Sequence, residues 1–336
     1  MGDIQKLRQA VNDFKAASLS ENTRKAYRSD WNSFLDFCEY QDLTPMPATV
    51  DTLELYLTEL ATQGRTYSTI VRALTSINKA HRIMGQPDLR TVSVRTLLEG
   101  IRKKCSTDPR QSRGLVYREL LKMISNCDQT VIGARDRALL WVGWCSSLRR
   151  SELVALNLGD LDWEPEGVRL RIRRSKTDQA GKGRWIGIPY SADTSACPVT
   201  ALRDWIGRLP PPLQKARSPL FRSIGMGGRK KWFVSELGGR LSGRSVALIV
   251  KKYAHRIGLN LPGEYAAHSL RRGLATEAAA RNVPERFIAR QTGHRSLTVL
   301  REYIEEGSVW RENPLNSIYL TTLRPSTDDG APIGRK

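Results

Sequence analysis

Five consecutive apolar residues, Ala138-Leu139-Leu140-Trp141-Val142, form the centre of a run from Ala134 to Ser147 that reads as one helix. A helix that is apolar on every side cannot lie on a surface and must be covered all round. That demand calls for a sizeable core, and a chain of 336 residues is long enough to build one and still form a second domain. The run passes directly into Leu148-Arg149-Arg150. At least one arginine therefore starts from the core.

The elements that cover this helix follow from pattern. Tyr117 to Asn126 reads as a helix. Val168 to Arg173 alternates strictly and reads as a strand, with Arg184 to Pro189 as its partner. Between them, Arg174 to Gly183 is a polar hairpin tip with Lys176 near its start. Cys197-Pro198-Val199 opens a helix through Trp205, with proline in an early turn, and Pro210-Pro211-Pro212 is a stop. Gly225 to Gly239 reads as a loop rich in Gly, Lys and Arg. Ser242 caps a helix to about Ile257 and places Arg244 at its outward-facing first turn. Short helices follow around His268, Pro284 and Leu297, then an amphipathic helix from Trp310 to Tyr319. Residues 115–324 are thus read as one mixed α+β domain, followed by a polar tail, 325–336.

The first part of the chain has a different pattern. Ser20-Glu21-Asn22-Thr23 supplies cap chemistry, and Tyr27, Trp31, Phe34, Leu35 and Cys38 recur at helical spacing. Further helical faces follow to Gly64, from about Thr66 to Ile83, and from about Ser93 to Lys104. Residues 20–104 are expected to form a small all-helical domain behind a leader, 1–19. Cys105 to Gly114 has no apolar periodicity and contains Asp-Pro, so 105–114 is read as a linker; an ordinary loop within one larger domain stays open.

Charge narrows the partner. Lys and Arg total 54 against 34 Asp and Glu, a net charge of +20. Such an excess repels itself unless a polyanion offsets it; nucleic acid is the first candidate and an anionic membrane the second. No apolar run is long enough to span a bilayer, and the start has no signal-peptide core. Five scattered cysteines without Cys-x-x-Cys indicate neither a disulfide framework nor a zinc site, which fits a reducing cytoplasm.

His268-Ser269-Leu270-Arg271 places a histidine and an arginine three apart, on one helix face. Gly293-His294 follows, then Tyr303. Taken with Arg149, Glu152 and Lys176, the set is cationic donors around one tyrosine. No carboxylate pair at metal-binding spacing and no phosphate-loop glycine pattern accompanies it. Two guanidiniums can fork onto the oxygens of a phosphodiester, a histidine can take a tyrosine proton, and a lysine can protonate a leaving oxygen. Taken singly, each residue also has an ordinary role, as a core histidine, a paired arginine, a solvated lysine or a packed tyrosine.

Leu148-Arg149-x-Ser151-Glu152-Leu153, the hairpin Lys176, His268-x-x-Arg271, Gly293-His294 and Tyr303 resemble the ordered signature of the tyrosine recombinases, the phage-integrase family. Islands in both halves resemble its Cre-like members: Asn22-Thr23-x-Lys25, Ser76-Ile77-Asn78-Lys79-Ala80-His81-Arg82 before Gly85-Gln86-Pro87, Ile101-Arg102-Lys103, and Leu241-Ser242-x-Arg244. Arg150 departs from the family, which often has an apolar residue there, and reads as a surface ion-pair residue.

The resemblance implies a two-domain, mainly α protein that clamps DNA. A helical core-binding, SAM-like domain precedes a catalytic domain with a small antiparallel sheet, and no arm-binding domain is expected ahead of Ser20. Arg149 and Arg271 would bind the scissile phosphate and His294 would donate to it. Lys176 would be the general acid and His268 the general base, with Glu152 supporting the site. Tyr303 would form a 3′-phosphotyrosine and release a 5′-hydroxyl, conserving bond energy so that no cofactor is needed.

Double-stranded DNA with inverted half-sites is the implied partner, bound by a dimer, with a tetramer in the synapse and strand exchange through a Holliday junction. Helix 310–319 would dock on a neighbouring protomer or cap its own domain. Lys25, Arg28, Ser68, Thr69, Arg72, Lys79 and Arg244 are the expected DNA contacts, with Arg244 the foremost base reader. A type IB topoisomerase-like or telomere-resolving relative, or a non-catalytic DNA-binding relative, remain the alternatives.

Overall fold

The computed structural model describes residues 20–104, 112–173, 183–227, 231–233, 238–259, 265–294, 298, 300 and 301. The leader, most of the linker, Lys176, Tyr303, helix 310–319 and the tail lie outside the described residues. The chain divides into two compact units, Met1–Arg110 and Gln111–Lys336.

The first unit is helical: α1 (Glu21–Tyr40), α2 (Val50–Thr62), α3 (Tyr67–Ile83) and α4 (Val92–Lys104). Ser20, Thr49 and Thr66 cap the first three, each side chain accepting a backbone N–H three residues on. The apolar faces meet in a core around Phe34, Leu53, Leu57, Ile70, Ile77 and Val94. His81 is part of that core. Its Nε2 accepts the Ala48 N–H at 2.9 Å, so Nδ1 carries the proton and donates to the Ile77 carbonyl at 3.0 Å. This histidine is fully engaged in packing.

The second unit is built on α6 (Val131–Ser146), with α5 (Tyr117–Ser125) before it and α7 (Arg150–Ala155) after it. Twelve of its sixteen residues are buried, as an all-round apolar centre demands. A three-stranded antiparallel sheet follows, β1 (Leu161–Glu164), β2 (Gly167–Ile172) and β3 (Arg184–Pro189), in that order. Val168, Leu170, Ile172, Ile186 and Ile188 face the core, while Arg169, Arg171 and Trp185 face out. Next come α8 (Pro198–Gly207), β4 (Gly225–Gly227), β5 (Lys231–Phe233), α9 (Gly243–Arg256), α10 (Ala267–Ala280) and α11 (Glu285–Thr292).

Three sequence expectations change. β1 joins the hairpin as a third strand. It is four half-exposed residues long, too short and too evenly exposed to show alternation. The Gly- and Lys/Arg-rich region 225–239 is not all loop, because β4 and β5 pair within it. The helix read from Ala134 begins at Val131 and runs to Ser146. Ser147 closes that helix in the left-handed region, φ 52°, and Arg149 is the N-cap of the next.

The helix that carries His268 and Arg271 packs unusually close to the chain before α5. A Cβ at Gly273 would lie 2.0 Å from the Leu115 carbonyl oxygen. That oxygen accepts the Trp144 indole N–H at 2.9 Å, and the Leu115 N–H donates to the Ser269 carbonyl at 2.9 Å. Glycine lets α10 and α6 share one backbone segment.

Candidate active site

Three separated pieces of chain meet in the second unit: the corner between α6 and α7, the first turns of α10, and the turn that ends α11. Arg149 comes from the corner. Glu152 is the third residue of α7, with a side chain only 4% exposed. Its carboxylate accepts the Arg149 backbone N–H at 3.0 Å and the Arg149 guanidinium at 2.9 Å. The first contact caps a helix in the manner of a capping box and the second aims the side chain. Arg150, one position on, is exposed.

Arg271 comes from α10 and is 2% exposed. Its Nη1 donates to the Ser147 carbonyl at 2.6 Å and to the Thr292 carbonyl at 2.7 Å, while Ser147 Oγ donates back to the Arg271 carbonyl at 2.9 Å. One buried guanidinium thus ties all three pieces together. These charge-assisted bonds to carbonyl oxygens fix the position and orientation of a buried guanidinium.

The two histidines stand in that positive field. Burial first, then Arg271, Arg272 and Arg149, hold the His268 pKa below the usual histidine value. His294 is pushed down to about 3, by burial first and then by Arg271, Arg149, His268 and Arg184. Both are neutral at pH 7.

Thr292 bears on the His294 tautomer. Its hydroxyl lies 2.8 Å from the Ile288 carbonyl and 2.6 Å from His294 Nδ1, and it has one proton. If that proton goes to the carbonyl, Nδ1 must donate and Nε2 is left as an acceptor. An Nε2 donor requires the hydroxyl to turn to Nδ1, or the ring to take a second proton from an arriving acid or in the field of an anion.

The structure therefore brings Arg149, Glu152, His268, Arg271 and His294 together, while Lys176 and Tyr303 fall outside the described residues. Ser147, Thr292 and Arg184 also take part, and no sequence motif marks them. A left-handed serine and a threonine at a helix end have no distinctive pattern, and Arg184 looked like the first residue of a strand. Among the described residues, no group of three or more His, Cys, Asp or Glu side chains could hold a metal ion.

The expected DNA contacts are placed unevenly. Arg28, Ser68 and Arg244 are exposed, the last as second residue of α9. Lys25 forms an exposed ion pair with Glu21 at 2.7 Å. Thr69 lies in the α3 cap, its hydroxyl 3.0 Å from that of Thr66, and Lys79 Nζ lies 5.7 Å from the Tyr27 ring centroid. Arg72 is different: Nε and Nη2 both donate at 2.9 Å to the buried carboxylate of Asp30, joining α3 to α1. Its fork already has a partner inside the unit.

Residues 115–308 match the phage integrase family, and residues 14–84 match the phage integrase N-terminal SAM-like domain. An integrase/recombinase xerD homolog from Selenomonas ruminantium is 36% identical over 307 residues, covering 90% of this chain and 86% of the relative. A tyrosine recombinase XerC from Herpetosiphon aurantiacus is 27% identical, covering 85% of each chain. The fold is shared with a lambda integrase dimer bound to a COC′ core site (TM-score 0.59, 16% identity, 89% of this chain and 93% of that one). It is also shared with the Tn1549 transposon integrase in complex with transposon right end DNA (TM-score 0.57, 16% identity, 88% and 92%).

Proposed function

Because this chain belongs to the phage integrase family, the tyrosine recombinases, we propose that it recombines DNA at a specific site through a covalent phosphotyrosine. The observation that carries this reading is the convergence of Arg149, Arg271, His268 and His294 from three separated elements into one positive cluster. A phosphodiester is the anion that such a forked, hydrogen-bonding cluster fits.

In this reading Arg149 and Arg271 hold the non-bridging oxygens of the scissile phosphate, with Glu152 keeping Arg149 aimed. Tyr303 Oη attacks phosphorus and its proton passes to His268. The bond from phosphorus to the 5′ oxygen breaks, and Lys176 protonates the leaving oxygen. His294 donates to the phosphate, whose negative charge favours the doubly protonated ring. The phosphotyrosine keeps the bond energy, so a 5′-hydroxyl from a second site can attack it and release Tyr303. Two such exchanges, in sequence, pass through a Holliday junction.

Two protomers on inverted half-sites, and four in a synapse, follow from the same reading, with helix 310–319 as the docking element. Exposed Arg28, Ser68 and Arg244 support DNA contact from both units; Arg244 is the foremost base reader, since a guanidinium forks onto guanine. The Cre-like sequence islands support a two-domain recombinase, and the relatives named as a xerD homolog and as XerC support recombinase chemistry.

The test is a nicked suicide substrate carrying candidate inverted repeats, incubated with the wild-type chain and with Tyr303→Phe. A covalent adduct is expected with wild type and none with the variant. An adduct that persists in Tyr303→Phe would remove Tyr303 as nucleophile. Relaxation of unrelated supercoiled DNA would favour a topoisomerase-like outcome over site-specific exchange.

A further inference from the structure

We propose that Arg184 is a positioning residue for His294, acting from the base of the hairpin that carries Lys176. The proposal rests on the reading of His294 as a phosphate donor. It starts from a helix end. The last carbonyls of α11 have no partners within the helix. The Arg184 guanidinium supplies them, donating to the carbonyls of Arg290 at 3.2 Å, Gln291 at 2.9 Å and Thr292 at 3.4 Å. A cation at a helix C-terminus also meets the negative end of the helix dipole.

The next residue shows how tightly this contact is built. Gly293 lies in the left-handed region, φ 67°, and a Cβ there would stand 2.6 Å from Arg184 Cζ. Glycine is required both for the backbone turn and for the guanidinium that lies against it. His294 follows immediately. The backbone that aims its ring is thus held by Arg184, while Arg271 holds the same Thr292 carbonyl at 2.7 Å. Gln291 adds a tie from α11 to β3, its amide donating to the Gly187 carbonyl at 3.1 Å and to the Cys145 carbonyl at 2.9 Å.

Arg184 opens β3, opposite Ile172 of β2. Residues 173–183 between them include Lys176. The side chain that fixes the His294 turn therefore stands where that hairpin joins the sheet. Burial lowers the Arg184 pKa, with the charge of Glu152 opposing and that of Arg149 adding to the effect. Holding a guanidinium there costs free energy that an arginine in solvent would not incur, and the three carbonyls offset it.

The test is a double-mutant cycle with a spectroscopic control. Single-turnover cleavage of the suicide substrate, DNA affinity and thermal unfolding are measured for Arg184→Ala, His294→Ala and the pair. Arg184→Ala is expected to slow cleavage by roughly 10- to 100-fold, the scale of a misaimed catalytic group, with affinity within about threefold. Added to His294→Ala it should cost less than about threefold more, since the two act as a unit. Arg184→Lys keeps the charge without the planar fork and should recover only part of the rate.

Independently of activity, the four histidines allow the His294 ring to be followed by NMR as pH is varied. In Arg184→Ala its titration should move up toward the ordinary histidine range. An equal loss in both backgrounds, or no loss, would overturn the proposal, as would an unmoved His294 titration. If wild type cleaves no DNA, the recombinase reading fails, and the titration alone decides whether Arg184 positions the ring.

Discussion

Glu152 is a nearly buried carboxylate that meets arginine twice, once through the Arg149 backbone and once through its guanidinium. His294 is the opposite case, a base surrounded by cations. Its pKa of about 3 lies below the unfolded value of about 6.5. Between those values the unfolded chain holds the proton and the folded chain does not. The stability contributed is therefore complete above about pH 6.5 and is lost as pH falls toward 3. His268, also shifted down, adds in the same direction. Denaturant unfolding at pH 7 and pH 5 should show a larger acid loss for wild type than for His294→Gln. Equal losses would mean that His294 titrates as an ordinary histidine.

At the scale of elements, most helices could be read in advance because cap chemistry and period agree. Ser20 and Thr66 stand where α1 and α3 begin, and Ser242 stands before α9. What periodicity could not show were pieces too short to have a period. The six residues of α7 and the four of β1 are examples, and α7 is the element whose N-cap is Arg149. The Arg72–Asp30 pair shows a different limit. Outward spacing on α3 marked Arg72 as a DNA contact, yet the carboxylate that holds it lies 42 residues away on α1. Removing the arginine strands a buried carboxylate. Arg72→Ala should therefore lower stability by about 1–2 kcal/mol, read from denaturant melts, because one partner of the pair is largely buried and the other is not. A loss of DNA affinity at unchanged stability would identify Arg72 as a DNA contact.

At the scale of the whole molecule, the charge of +20 is the feature that any partner must answer. If DNA is that partner, each neutralised phosphate releases counterions, and affinity must fall steeply with salt. With roughly 6–10 phosphates contacted, the loss between 50 and 200 mM salt is on the order of 10³–10⁵-fold, measurable by fluorescence anisotropy. A flat salt response would exclude the phosphate clamp in both units. A fall in affinity with Arg244→Ala that differs among DNA sequences would identify a base contact, whereas a uniform fall would identify a phosphate contact.

The sequence alone determined the two-part organisation, the buried α6, the β2–β3 pairing and the family. These follow from local period, cap residues and ordered motifs, all of which act over short stretches of chain. Only the tertiary structure decided how the site is held. Ser147 and Arg271 are 124 positions apart, and Arg184 lies more than 100 positions from the carbonyls it caps. Such contacts depend on where a buried guanidinium finds its oxygens once the core has closed. Backbone carbonyls occur at every residue, so no pattern of side chains marks in advance which of them an arginine will meet.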